Sequence, residues 1–192
     1  MNAINPPLIS LNDYGAEFVH AQYGALLRRI RRLSPSAVLV GGAVRDTIFG
    51  REVKDLDFMV LSEADVSGIE TALSVTVSDV LGFDRLHGRS EYDADANVYR
   101  VFETADKKLN ILLVGDILHR VVTFPDSISQ VIFDGDSVLA TQRFIDTAST
   151  HVITHSHEPQ RELKADRRAR IVAKYPDFSF KDVAYDPLSL DL

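Results

Sequence analysis

Cysteine is absent from this chain of 192 residues, which excludes disulfides and thiolate metal sites. No apolar run approaches the ~20 residues that a membrane-spanning helix needs. The first residues, Met1 to Pro7, lack the basic and apolar segments of a secretory signal. A cytoplasmic location, with no membrane partner, is therefore the expectation. Positive charge is in deficit: 21 Lys and Arg face 28 Asp and Glu, a formal net charge of -7. That balance argues against broad, sequence-blind nucleic-acid binding. Internal repeats and low-complexity tracts are missing too.

What is present fits a soluble globular protein, with 45% apolar and 26% charged residues. The length suits one domain, or one domain with a helical appendage. Apolar residues at helical spacing (Phe18, Tyr23, Leu26, Leu27, Ile30, Leu33) predict a helix over 14–33, ended by Ser34-Pro35-Ser36. A buried strand over 37–40 precedes a short helix over 43–49, closed by Gly50. A second strand runs over 55–61, and Ser62 caps a helix to about Leu73. Residues 75–96 read as a loop or flap. Strands over 97–104 and 107–114 meet at an Ala105-Asp106 turn, and a second hairpin surrounds Asp134-Gly135-Asp136. A short helix over 140–147 and a longer one over 158–175 complete the pattern. This order predicts an α/β (α+β) fold: a mixed sheet with helices on one face and a short C-terminal helical neck. The expected division is a head over 1–150, then neck and acidic tail over 151–192.

One segment carries chemistry. After the apolar run come Gly41-Gly42, then Arg45-Asp46, then Asp55-Leu56-Asp57. Alternate strand residues share a face, so Asp55 and Asp57 point the same way. Adjacent carboxylates repel unless a cation lies between them. Magnesium takes oxygen ligands and bridges carboxylates to substrate phosphates. A glycine turn lets backbone approach phosphates closely. Plain structural readings stand beside these. Gly41-Gly42 also fits an ordinary strand-to-helix turn, Asp55 and Asp57 fit exposed strand charges, and Asp46 fits a cap. Two basic clusters, Arg28 to Arg32 and Arg161 to Lys174, suit either solvated helix faces or phosphate contacts. His151, His155 and His157 alternate but lack nearby cysteines, so they are expected in a loop rather than on zinc.

The run from Gly41 to Asp57 resembles the head domain of the CCA-adding enzyme and bacterial poly(A) polymerase family, in the polymerase-β-like nucleotidyltransferase superfamily. Two weaker echoes follow. Phe124 to Gln130 resembles that family's Arg-Arg-Asp-Phe-Thr-x-Asn motif, with Asp126 on the aspartate, Gln130 on the asparagine and both arginines missing. Glu158-Pro159-Gln160-Arg161, then Lys164 and Arg167, is similar to the start of the neck helix. The family's larger members add body and tail domains that hold tRNA, for which 192 residues leave no room. Small stand-alone head domains from bacteriophage genomes are similar in size.

The resemblance implies a magnesium-dependent (or manganese-dependent) enzyme that moves a nucleoside monophosphate from an NTP, ATP or CTP favoured, to an acceptor hydroxyl. An RNA 3′ end is the implied acceptor; a protein or small-molecule hydroxyl stays open. Asp55 and Asp57 would hold the metal. Asn110 occupies the position of the superfamily's third acid, unless Glu103 or Asp106 replaces it. Gly41, Gly42, Arg45, Asp46, Asp126, Glu158 and Arg161 would bind substrate, the last two facing the base. The alternative implied by Asn110 and the missing arginines is a weak or inactive relative that binds nucleotide or a protein partner.

Overall fold

A helix forms where apolar side chains recur at its period, and Val19, Tyr23, Leu27 and Ile30 do so along α1 (Ala16–Arg31), all buried. Phe18 and Leu33, counted in the expected stripe, lie off that line and are exposed. The computed structural model describes residues 8–13, 15–80, 98–157 and 164–184. Arg28 donates to the Gly135 carbonyl and Arg31 to the Ala37 carbonyl. Half of the first basic cluster thus fastens loops to the helix.

The remaining elements follow in order. They are β1 (Ile9–Ser10), β2 (Val38–Val40), α2 (Gly42–Ile48), β3 (Leu56–Val60), α3 (Glu63–Leu73), β4 (Val77–Asp79), β5 (Val98–Thr104) and β6 (Leu109–Val114). Then come α4 (Ile117–Val122), a 3-10 turn (Ser127–Ser129), β7 (Val131–Phe133), β8 (Val138–Ala140), α5 (Gln142–Thr150), β9 (Val152–His157), α6 (Lys164–Lys174) and β10 (Ser179–Ala184). The Ser62 hydroxyl accepts the Asp65 N–H and caps α3, as its sequence predicts.

Eight strands form one mixed sheet in the order β1-β8-β7-β2-β3-β6-β5-β4. Only β3 and β6 pair in parallel among its neighbours. Strand alternation splits the sheet into two faces. One presents Leu39, Phe58, Val60, Ile111 and Leu113 to a core shared with α1, α2, α3 and α5. The other presents Val38, Val40, Met59, Leu112 and Val114, partly covered by Val121 of α4 and by Phe124. Helices α1, α2, α3 and α5 thus share one face, and the short α4 lies on the other. This second face also carries Asp57 and Asn110.

β9 and β10 form a separate two-stranded parallel sheet. Its neighbourhood has its own small core of Ile128, Ile153, Ile171, Tyr175 and Phe178, against which Phe49 packs. The expected loop histidines differ here. His155 is buried within β9, and His151 is the left-handed cap of α5. Of the expected flap, Val77–Asp79 is strand; most of the rest lies outside the described residues. Among the described residues no helix is long and apolar enough to cross a membrane.

Candidate active site

The glycine turn sits where β2 ends. Gly41 has φ +57 and ψ -117, a conformation readily reached only by glycine. A Cβ there would meet nothing within 4 Å, so backbone shape rather than crowding demands the glycine. Its N–H already donates to the Val131 carbonyl at 3.1 Å. Close backbone approach by a ligand therefore falls to Gly42, where an added Cβ would find only Arg45 Nη2 at 3.7 Å.

Arg45 projects from α2 and is held on three sides. Its Nε donates to Asp46 Oδ1 at 2.6 Å and to the Tyr175 hydroxyl at 3.1 Å, and its Nη1 donates to Ser129 Oγ at 3.2 Å. Its guanidinium also lies over the Tyr175 ring, 5.4 Å from the centroid. Asp46 is buried and fully engaged. Oδ1 also accepts the Tyr175 hydroxyl at 2.5 Å, and Oδ2 accepts Lys174 Nζ. Burial alone would lower the Arg45 pKa; the facing Tyr175 and Asp46 outweigh it and the net direction is up. Desolvation, with Asp46 beside it, drives the Tyr175 phenol up and keeps it a neutral donor. Asp46 thus positions Arg45 and binds helix α6, with both carboxylate oxygens engaged.

Asp55 precedes β3 and Asp57 lies within it, two residues apart on one face. Lys54 Nζ stands 3.5 Å from Asp55 Oδ2, on a side chain 77% exposed, a pair of little strength. Asp57 pairs with Asn110 across the parallel β3–β6 ladder, and Asn110 pairs with Glu103 across β5–β6. Asn110 Nδ2 donates to Asp57 Oδ1 at 2.9 Å. Its Oδ1 is buried and has no hydrogen-bond partner. The register confirms that a neutral side chain stands directly beside Asp57.

These groups line one cavity of about 460 Å³, within the usual range for ligand sites. Gly41, Gly42, Arg45, Asp55, Asp57 and Asn110 all reach it, as do Val40 and Met59 on its floor. Cations dominate its rim. Arg45, Lys54, Lys107, Arg120, Arg167, Arg170 and Lys174 face Asp46, Asp55, Asp57 and Glu103. A chain that is negative as a whole therefore holds a positive hollow beside two carboxylates.

Asp126 stands behind this cavity rather than in its lining. Wholly buried, it accepts from Arg167 Nε at 2.8 Å through Oδ2, and its Oδ1 lies 2.6 Å from His155 Nδ1. Burial would raise its pKa, yet the His155 hydrogen bond and the Arg167 charge carry it below the usual carboxylate range. It orients Arg167, which does reach the cavity. Gln130 is also structural: its amide donates to the Val122 and Phe124 carbonyls and accepts the Thr141 hydroxyl. Glu158 and Arg161 lie outside the described residues.

Sequence reading missed Arg120; Arg170 and Lys174 stood only within the second basic cluster, and Glu103 only as an alternative to Asn110. Arg120 is buried on α4 with its guanidinium over Phe124. The signal for α4 was available: Asp116 caps it by accepting the His119 N–H. Arg167, Arg170 and Lys174 follow the three- and four-residue spacing of one helix face.

Residues 37–130 match the family model described as the poly(A) polymerase head domain. No curated protein sequence matches the chain. Among solved structures, the fold is similar to a Thermotoga maritima CCA-adding enzyme complexed with tRNA, at TM-score 0.60 and 14% identity, covering 91% of this chain and 43% of that one. A CCA-adding enzyme complexed with CTP gives TM-score 0.57 at 13% identity, covering 91% and 44%. A tRNA-processing enzyme gives 0.56 at 16%, covering 83% and 44%. The chain spans less than half the length of these proteins. Residues 37–130 thus match the head-domain family of the poly(A) polymerases, and the fold is similar to that of CCA-adding enzymes.

Proposed function

We propose that the chain transfers a nucleoside monophosphate from an NTP to an acceptor hydroxyl, with magnesium as cofactor and an RNA 3′ end as acceptor. The observation that carries this reading is the cavity itself. It gathers Asp55 and Asp57, the Gly41-Gly42 turn and the restrained Arg45 beneath a rim of cations. Relatives of similar fold are described as complexes with CTP, with ATP and with tRNA, which favours ATP or CTP as donor. Residues 1–150 form the head in this reading, and 151–192 the neck and tail.

The donor set suits magnesium. It binds through one or two carboxylates plus substrate phosphates and asks for no closed protein cage. Among the described residues no three acidic or histidine side chains converge on one point, but Asp55 and Asp57 provide the two that are needed. The buried, unpartnered Asn110 Oδ1 beside them is an orphan that a cation would satisfy if the amide turned over. Magnesium bound there would neutralise triphosphate charge and favour ionisation of the acceptor hydroxyl.

This chain's own residues then do the following. Gly42 admits the phosphates without a side chain in the way. Arg45, pre-set by Asp46 and Tyr175, donates to triphosphate oxygens with no rotamer left to freeze. Arg120, Arg167 and Lys174 offset the remaining charge. The acceptor oxygen attacks the α-phosphorus, forming one P–O bond as the bond to the β-phosphate oxygen breaks. Pyrophosphate leaves, and the hydroxyl proton passes to solvent.

The test is incubation with each labelled NTP, magnesium and RNA. Label should enter RNA, and D55N/D57N should lower incorporation at least ~10³-fold, or ~4 kcal/mol of transition-state stabilisation, with the far-UV spectrum unchanged. Equal labelling by the double variant would remove the assignment. The neutral Asn110 favours a second reading, a weak or inactive relative that binds nucleotide or a protein. Saturable ATP binding without transfer to RNA, protein or small-molecule hydroxyls would support it.

A further inference from the structure

Ser129 ends the 3-10 turn, between Asp126 and Gln130, at a position to which the family resemblance gives no role. It is buried, yet it lines the cavity. Two guanidiniums from different helices meet at its hydroxyl. Arg45 Nη1, from α2, donates to Ser129 Oγ at 3.2 Å, and Arg167 Nη2, from α6, does so at 3.5 Å. A buried carboxylate holds each arginine from behind: Asp46 for Arg45, Asp126 for Arg167. A serine hydroxyl has two lone pairs and one proton. Here cations occupy both lone pairs, so the O–H is left to donate. Among the described residues no acceptor takes that proton. A buried donor without a partner is costly, so such a group implies an acceptor that the fold itself does not supply. Two cations on the oxygen polarise the O–H and strengthen it as a donor.

Resting on the nucleotidyl-transfer reading, we infer that Ser129 is a phosphate ligand: its hydroxyl donates to a non-bridging oxygen of the bound nucleotide's triphosphate, flanked by Arg45 and Arg167. Arg45 fixes where this contact lies. Its Nη2 stands 3.7 Å from the Cβ that Gly42 would carry, while its Nη1 reaches Ser129. One guanidinium thus bridges the glycine turn and the buried hydroxyl. A phosphate entering over Gly42 meets Arg45 Nη2 first and has Ser129 one guanidinium further in. The spot selects an anionic acceptor. A neutral hydroxyl there would leave two cations without charge to offset them, whereas a phosphate group offers both charge and lone pairs to all three donors. Ser129 also holds the two like charges at one separation, so the cradle for that oxygen exists before the nucleotide arrives.

The experiment is calorimetric titration of the full chain, with magnesium present, against three probes: ATP, inorganic tripolyphosphate and a short single-stranded RNA. Wild type is compared with S129A, S129T, R167Q and R167Q/S129A, each checked for folding by far-UV circular dichroism. S129A should weaken ATP and tripolyphosphate by the same factor, roughly 10- to 100-fold, the loss of one hydrogen bond to a charged group. S129T keeps a hydroxyl and should stay close to wild type. S129A should cost a similar factor again in the R167Q background, because the hydroxyl touches the ligand itself. If S129A binds ATP as wild type does, the inference falls and the nucleotidyl-transfer reading stands. If S129A weakens ATP but spares tripolyphosphate, the hydroxyl serves base or sugar, and the inference falls. If S129A adds nothing to R167Q, Ser129 acts only through Arg167, and the inference falls. If RNA alone is weakened, the phosphate belongs to the acceptor, and the inference falls again. If wild type binds neither ATP nor tripolyphosphate, the nucleotidyl-transfer reading falls with it.

Discussion

Replacing Asp46 by asparagine keeps the side chain's shape and removes only its charge and one acceptor oxygen. In the wild type three donors converge on that carboxylate: Arg45 Nε at 2.6 Å, the Tyr175 hydroxyl at 2.5 Å, and Lys174 Nζ. Side-chain exposures of 3% for Asp46, 11% for Arg45 and 27% for Lys174 place the first two away from screening water, and the third less so. In D46N the amide must turn an N–H toward at least one of these donors. Removing one partner of a buried charged pair costs about 3–5 kcal/mol, mostly because the remaining charge stays buried. A chain of this size loses about 2–4 °C of Tm per kcal/mol, so D46N should melt about 6–20 °C lower by circular dichroism. Y175F removes one donor and leaves the ring in its small core; a hydrogen bond to a charged group contributes about 1.5–3 kcal/mol. Its effect should therefore be smaller than that of D46N. The double variant should show coupling above ~0.5 kcal/mol, as groups in one network do. A D46N melt within 2 °C of wild type, or additive single and double variants, would refute Asp46 as the hub joining α6 to the glycine turn.

Two further outcomes follow from the geometry. The pKa of Asp126 is lower folded than unfolded, so the unfolded chain takes up its proton first as pH falls. Its contribution is complete above the unfolded value of ~4 and disappears as pH drops through the folded value. Asp65 and Asp106 shift the same way, so D126N should flatten, not abolish, the fall in Tm between pH 5 and 2.5; an unchanged slope would contradict the assignment. G41A and G42A should separate shape from space. G41A strains a backbone at φ +57 and should cost about 1–3 kcal/mol by urea melt. G42A lies within α2 in ordinary contact with Arg45, so the fold should tolerate it, while ATP affinity falls because a methyl fills the approach to the phosphates.

What the sequence disclosed follows the range of the interactions involved. The Gly41-Gly42 turn, the α2 helix closed by Gly50 and the Asp55/Asp57 pair are set by neighbours a few residues away, and all were legible. Asn110 was expected beside the aspartates from the family resemblance rather than from local pattern, and the β3–β6 register pairs it with Asp57. The docking of Tyr175 on Asp46 joins residues 129 positions apart, and no local pattern announces it. β9 was hidden for a different reason. Thr154, His155 and Ser156 look like loop, yet they are a strand whose polar groups are satisfied from within. His155 pairs with Asp126, the Thr154 N–H donates to Ser127 Oγ, and the Ser156 N–H donates to the Pro125 carbonyl. Polarity argued for solvent, and burial with complete pairing overrode it.

The charge distribution gives the last constraint on function. A net charge of -7 repels a long polyanion over most of the surface. Beyond ~8–10 Å that repulsion is screened at physiological salt, so local charge decides what enters a cavity. Here the local surplus is positive: seven basic side chains ring the hollow against four acidic ones, and Asp46 is already consumed in holding Arg45 and Lys174. Asp55, Asp57 and Glu103 then supply the negative pole of a positive vestibule. A bare carboxylate pair would repel a triphosphate, and a purely basic hollow would hold it without drawing a divalent cation. Under the proposed function, the two poles side by side would suit a polyanion carrying its own metal, a description that an NTP with magnesium meets more closely than duplex nucleic acid or an acidic peptide does.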